Sequence, residues 1–272
     1  MHLVPLILYA AAAGAYLAHF AWRDPRVGRL ATATLGAGVL AHTFLIGMQT
    51  MEAGHAPLVG TTAALSAFVW LLGLSYLYLE LTSEERAMGA LVSVMLVGLA
   101  IIPALDPTVN ERPPLLRSPL FTIHVLSMLF AYASFALACV IGITYVLLFK
   151  EIRAKPLGLF YARLPSLQAL DVMNGRAVMV GWIFLTLGVV IGGLWATQIR
   201  DVPDPRAQAM SIADPKILMA LVLWGVYSFA LVARRAIGWS GRRAAWLSAV
   251  AFAIVLLNFL PVGYFLTRSH NF

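Results

Sequence analysis

The chain has 272 residues, of which 61% are hydrophobic and only 11% charged, and its mean hydropathy is +0.86. A soluble domain runs about 45–50% apolar and about 25% charged, so no water-soluble shape of this length hides the excess, which excludes a cytosolic enzyme, a disordered chain and a nucleic-acid binder. The formal charge of +7, from 19 Lys+Arg against 12 Asp+Glu, has to be read by where those charges sit.

A bilayer core about 30 Å thick takes roughly 20 mostly apolar residues to cross as a helix. Eight stretches meet that condition: 3–22, 28–50, 58–79, 87–104, 119–149, 175–197, 216–233 and 244–266. The expected fold is all-α, a polytopic membrane helix bundle of about eight transmembrane helices forming a single domain over 1–272. The first stretch has no basic residue ahead of it and is too long for a signal-peptide core, so it reads as a retained helix. The fourth is the shortest and closes near Pro103, and the fifth is long enough to tilt or to project from the bilayer. Between the fifth and sixth, Leu157, Phe160, Tyr161, Leu164 and Leu167 fall at helix-like spacing, which predicts a short interfacial amphipathic stretch broken at Pro165. The loop 104–118 is proline-rich, and 198–215 is the longest polar segment on its side. Gly188 and Gly192 form a GxxxG on the sixth span, a spacing that admits a neighbouring helix closely. The single cysteine, Cys139, lies in an apolar run and excludes an intramolecular disulfide and a Cys-based metal cluster.

Loop charges give the orientation. Arg23, Arg26, Arg29, Arg86, Lys150, Arg153, Lys155, Arg163, Arg176, Arg234, Arg235, Arg242 and Arg243 collect on one side. Arg112, Arg117, Arg200, Arg206, Lys216 and Arg268 collect on the other. Thirteen against six puts the basic loops in the cytoplasm and both termini outside, as in a bacterial-type inner (plasma) membrane. The positive charge is a topology signal, not a surface for a polyanion.

Ionisable side chains at membrane depth are rare and mark function. Here they reduce to His19, His42 and His124, with His2, His55 and His270 in outer segments. His42 falls about eight residues below the outer end of the second span, and His124 about five residues into the fifth. His270 follows the outer end of the eighth. Histidines from three helices thus lie in or just beyond the outer half of the membrane. Imidazole suits transition metals, and apolar walls with no carboxylate or thiolate beside the histidines suit haem better than a bare divalent ion. Each of His42 and His124 also has a plain alternative, a hydrogen bond to a neighbouring helix. His19, beside Trp22 and Arg23, reads as interfacial, His2 as a terminal bystander and His55 as a polar cap to the third span.

Three local patterns carry a resemblance to a known family. Residues 118–134, SPLFTIHVLSMLFAYAS, resemble the segment in which cytochrome c assembly proteins (the haem-handling CcsA/CcmC type) carry an outer haem-ligating histidine, with His124 in that position. Residues 54–70 keep Gly54, His55, Pro57, Leu58 and Trp70 of a further family segment but lack its Asn-Tyr-Glu centre. Residues 238–272 resemble the closing segment, with Asn258 in the last helix and His270 as the second outer histidine. His42 sits where many members place a histidine in an early helix. Of the family's tryptophan-rich outer loop, Trp195, Ala196, Asp214, Pro215, Lys216, Trp224 and Tyr227 remain, while the central tryptophans are replaced by a polar loop. That departure is closest to the shorter HemX-like members.

The resemblance implies a haem-handling protein that presents or carries haem b on the periplasmic, outer side through His124 with His270 or His42. Its implied partners are haem, apocytochrome c, the lipid bilayer and a second assembly subunit with a large outer domain. Trp195 reads either as a porphyrin wall or as an interfacial anchor, and Trp182 as an anchor. Asp214 and Pro215 make a good helix start, and the resemblance adds Asp214 to the haem-binding set and gives Lys216 a propionate-facing role. By charge alone Arg117 and Arg268 are alternative propionate partners. The chain has no cysteine pair, triad or P-loop, so a carrier fits better than an enzyme with its own nucleophile. The runner-up is a regulatory or structural membrane subunit without haem. A transporter or electron-transfer subunit is a weaker third.

Overall fold

A computed structural model describes residues 1–107, 113–154, 158–199 and 215–257. Every regular element among them is helical: α1 (Leu3–Trp22), α2 (Pro25–Ala53), α3 (Thr61–Ser83), α4 (Gly89–Leu105), a 3₁₀ turn (Pro114–Arg117), α5 (Pro119–Ala154), α6 (Leu159–Arg163), α7 (Leu167–Ile199), α8 (Pro215–Ala236) and α9 (Arg242–Leu257). Helix boundaries follow local chemistry. Arg23 closes α1 in the left-handed conformation, with its N–H on the His19 carbonyl. One residue later the Asp24 side chain accepts the Arg26 N–H at 2.7 Å, and Pro25 supplies the first turn of α2. A reversal of two residues therefore makes α1 and α2 antiparallel neighbours. Gly54, at φ 70°, ends α2 in the conformation that glycine adopts without steric cost.

Six of the helices (α1, α2, α3, α5, α7 and α8) are long and apolar enough to cross a membrane. The fourth expected span is real but short: α4 has 17 residues, roughly 25 Å at 1.5 Å per residue. The eighth is described only to Leu257, so two of the eight expected spans do not reach that length here. α5, at 36 residues, runs about 54 Å and projects beyond a bilayer core, carrying Lys150 and Arg153 with it.

The sequence between α5 and α7 folds differently from expectation. The amphipathic stretch is cut down to the five residues of α6, Leu157 lies outside the described residues, and 167–175 forms the first turns of α7. These turns are buried, with Leu170 and Met173 fully enclosed. Their polar residues find partners inside the protein. The Asp171 carboxylate accepts two bonds from the Arg234 guanidinium, at 3.0 and 2.7 Å, and the Gly241 N–H at 2.7 Å. Asn174 donates to the Ala138 carbonyl at 2.7 Å and accepts from Ser248 at 3.0 Å. Segment 167–175 thus bolts α5, α7, α8 and α9 together at one end.

The bundle has two halves with α3 between them. α1 packs on α2 and α4, α5 packs on α7 and α9, and α3 touches both α4 and α5. Tyr9, Tyr16 and Tyr76 fill the first half; Phe135 and Tyr227, stacked at 3.6 Å, fill the second. α5 and α9 meet backbone to backbone, since a Cβ on Gly142 would lie 2.6 Å from the Ala245 carbonyl oxygen. A backbone oxygen cannot swing aside, so Gly142→Val is expected to separate the two helices and cost about 1–3 kcal/mol. Gly98→Ala, where a Cβ meets nothing within 4 Å, should leave stability level or slightly higher. Thermal unfolding of both variants in detergent checks the contrast, and equal melting temperatures would refute the close contact.

Candidate functional site

His124 lies in the second turn of α5, against the glycine-lined face of α7. Its Nδ1 is 2.7 Å from the Gly188 carbonyl oxygen. The ring fits because Gly192 has no side chain: a Cβ there would fall 2.6 Å from Nδ1 and Cε1. One turn further along α5, Met128 sits in the same way against Gly188. The GxxxG pair is therefore the seat of the histidine as well as a packing motif. A carbonyl only accepts, so Nδ1 carries the proton and Nε2 keeps the lone pair of the neutral ring. This is the arrangement by which metal-ligating histidines are oriented, the distal N–H held by a backbone carbonyl.

Trp195 follows three residues after Gly192 on α7 and Phe121 precedes His124 by three on α5, so both lie beside His124 toward the start of α5 and the end of α7. Their ring centroids are 5.1 Å apart and tilted by 57°. Trp195 is only 3% exposed and packs with Val59, Leu116 and Ile199. This burial does not fit an interfacial anchor. Among the described residues its buried indole N–H has no hydrogen-bond acceptor. Trp182 also departs from expectation: its N–H donates to Ser228 at 2.7 Å, tying α7 to α8. The polar acceptor that draws it inward is on a helix 46 residues away in sequence.

His42 is elsewhere. It is 4% exposed, with Nδ1 at 3.1 Å from the Tyr9 hydroxyl of α1 and Nε2 at 3.0 Å from the Ser66 hydroxyl of α3. Because α2 runs on to Ala53, His42 lies eleven residues from its C-terminal end, about 16 Å, further from that end than expected. Its surroundings belong to α1 and α3, whereas His124 rests on α7.

Other positions resolve individually. His19 places Nδ1 at 2.9 Å from the Asp24 carbonyl oxygen, at the basic end of the bundle. His55 bonds the adjacent Ala56 carbonyl at 3.1 Å. It does not cap α3, whose N-cap is Gly60 without a side-chain bond, because its neighbour's carbonyl already takes its N–H. His2 lines a narrow cleft with Gln49 and with Ser66, the partner of His42. Lys216 stands in the first turn of α8, directly after Pro215 at the helix start, and Arg117 ends the 3₁₀ turn. His270, Asp214 and Arg268 lie outside the described residues. Among the described residues, no three His, Cys, Asp or Glu side chains converge as ligands for a bare ion.

One buried acidic side chain is not among the residues singled out from the sequence. Glu80 lies one residue beyond the expected third span, yet α3 continues to Ser83 and leaves Glu80 1% exposed. The Tyr16 hydroxyl donates to it at 2.7 Å and the Thr32 hydroxyl at 2.5 Å, and Arg86 approaches to 3.8 Å. The signal was its spacing from Leu72 and Tyr76, the i, i+4, i+8 face of a buried helix.

The comparisons with known proteins agree with the resemblance. The sequence matches the Cytochrome C assembly protein family over residues 58–270. A Guillardia theta protein named cytochrome c biogenesis protein CcsA is 26% identical, covering 85% of this chain and 81% of its own. Proteins of the same name from Trieres chinensis (25% identical, 94% and 90% covered) and Thermosynechococcus vestitus (24%, 86% and 83%) are similar to it too. The chain belongs to the cytochrome c assembly protein family.

Proposed function

We propose that this protein carries or presents haem during cytochrome c biogenesis, holding it through His124 at the outer side of the membrane. It does so as a single unit of about eight spans, with both termini outside and the basic loops in the cytoplasm of a bacterial-type cell. The observation that carries the reading is the Nδ1–H of His124 on the Gly188 carbonyl. That bond fixes the tautomer, turns Nε2 into the ligating nitrogen and makes it more basic. Trp195 and Phe121 supply the apolar wall, with stacking on the order of 1 kcal/mol per aromatic contact. The donor set fits haem b: one imidazole in an apolar recess, with His270 as the second ligand. Haem, when bound, would supply its iron chemistry, and His124 with His270 would hold it while Trp195 and Phe121 orient it and keep water away.

Lys216, in the first turn of α8, faces the propionate side in this reading, and Asp214, two residues before it in sequence, joins the haem-binding set. His42, with both ring nitrogens engaged, serves as a joint between α1, α2 and α3. The degenerate tryptophan loop groups the chain with the shorter HemX-like members, and apocytochrome c and a subunit with a large outer domain are the partners. The protein works as a carrier, not as an enzyme in its own right.

The absorbance spectrum of the purified protein tests the proposal. A Soret band is expected, lost in His124→Ala. Gly192→Val drives a side chain into the imidazole and should weaken haem affinity about 10–100-fold, the usual cost of disturbing a ligand's support. His42→Ala should keep the band but lower the melting temperature, since it strips two buried hydroxyls of their partner at a cost of about 1–3 kcal/mol. A colourless preparation, even after expression with added haem, overturns the carrier reading and leaves a haem-free membrane subunit. For topology, a reporter fused after Phe272 should read as external, and a cytoplasmic signal would reverse the orientation.

A further inference from the structure

The basic end of the bundle holds a cleft of about 270 Å³ between the end of α1, the turn from α3 to α4, and the residues after α6. Its walls are of two kinds. Phe20 and Leu164 are apolar; Arg23, Arg86, Arg163, Glu84 and Glu85 are charged and line the same space. Neither sign dominates, so the cleft suits a ligand with charges of both signs.

Two features indicate that these groups are held in place. Arg86 is anchored before any ligand arrives: its Nε donates to Thr32 at 3.2 Å and lies 3.8 Å from the buried Glu80 carboxylate. A guanidinium fixed in this way loses little freedom on taking an oxyanion through its remaining N–H groups. The backbone supplies the second feature. Among the described residues, Arg23 (φ 58°) and Glu84 (φ 59°) alone combine a side chain with a left-handed backbone, and both line this cleft. Each ends its helix there, with its N–H on the carbonyl four residues earlier, His19 and Glu80 respectively. Glycine would end both helices without the cost of about 1 kcal/mol or more that a side chain incurs. The chain instead places a cation and an anion at these two positions, as strained functional positions do. Burial also pushes the Glu85 carboxyl upward, and a docked cation would favour its charged form.

The cleft's position decides between a lipid and a soluble ligand. It opens at the end of membrane-spanning helices. Near that end of α1, Leu17 is 49% and Trp22 75% exposed, apolar surface of the kind that faces lipid, with Trp22 the aromatic residue typical of the interface. Basic pockets between helices at a membrane surface bind anionic lipid head groups, and here Glu84 and Glu85 in the same cleft add partners for a cation. We propose that the cleft binds the headgroup of a zwitterionic phospholipid with a primary ammonium, the chemistry of phosphatidylethanolamine. The phosphate sits on Arg23, Arg86 and Arg163, the ammonium on Glu84 and Glu85, and the acyl chains extend into the surrounding bilayer.

Native mass spectrometry of the full-length protein, with phosphatidylethanolamine, phosphatidylcholine, phosphatidylglycerol or soluble phosphoethanolamine added, tests this. One phosphatidylethanolamine should be retained in preference to the other lipids, because phosphatidylcholine lacks N–H donors and phosphatidylglycerol lacks the cation. Arg163→Ala and Arg23→Ala should each weaken retention about tenfold, the worth of one charged hydrogen bond. Arg86 is left intact because it also serves Glu80. The Glu84→Gln, Glu85→Gln double variant should keep phospholipid binding but lose the preference over phosphatidylglycerol. Melting temperatures of the variants without added lipid separate misfolding from lost binding; a variant that misfolds is replaced by Arg163→Lys, expected to retain part of the binding. Equal retention of all three lipids, or retention unchanged in the arginine variants, overturns the proposal. Competition by phosphoethanolamine as strong as by the lipid also overturns it, in favour of a soluble phosphate ester.

Discussion

His124 reaches the Gly188 carbonyl because α5 and α7 touch along glycines. Apolar burial between helices gains little when the surrounding solvent is itself hydrocarbon, so close packing and interhelical hydrogen bonds set how they meet. Gly181 gives way to Phe135, Gly188 to Met128 and Gly192 to His124. Each missing side chain admits one large partner from α5. The third of these contacts brings an imidazole within hydrogen-bond range of a helix carbonyl. Trp195 and Phe121 then pack above it as the same contact continues outward. The placement of the candidate ligand and its wall is a consequence of helix approach, and the glycines are as necessary to it as the histidine.

The first half of the bundle is held by a different device. α1, α2 and α3 are tied at two depths by polar groups: His42 between Tyr9 and Ser66, and Glu80 between Tyr16 and Thr32. An unsatisfied polar atom in a membrane costs several kcal/mol, so such joints admit only one register of the three helices. Their tyrosines also provide the bulk of the core there. α3 carries Ser66 and Glu80 on one side and meets α5 on the other, and it transmits the position of the first half to the second.

This division explains what could be read in the sequence. The apolar stretches announced the helices, and His124 stood out because little else near it is polar. The GxxxG was visible as well, though nothing in its spacing identified an imidazole as the partner. Glu80 was hidden because hydropathy averages over a window, and a carboxylate at a span end looks like the start of a loop. Segment 167–175 was hidden for the same reason: Asp171 and Asn174 lower the local hydropathy, but Arg234 and Ser248, more than sixty residues away, supply their partners. The role of Trp182 also rests on a distant acceptor. Side chains whose meaning lies in a long-range partner are the ones that sequence periodicity cannot rank.

The two intramembrane histidines show how partners separate a ligand from a joint. Both are imidazoles in apolar surroundings, and the sequence treats them alike. At His42 hydroxyls occupy both nitrogens; a hydroxyl can donate or accept, so either tautomer is satisfied and no lone pair is assigned to iron. At His124 the partner of Nδ1 is a carbonyl, which cannot donate, so one tautomer is selected and the lone pair is assigned to Nε2. Binding iron at His42 would break a bond to one of its two hydroxyls, whereas the carbonyl of Gly188 holds Nδ1–H of His124 whatever Nε2 meets. The difference between a hydroxyl and a carbonyl at one ring nitrogen is thus what the proposed division of roles, His124 toward haem and His42 as a joint, rests on.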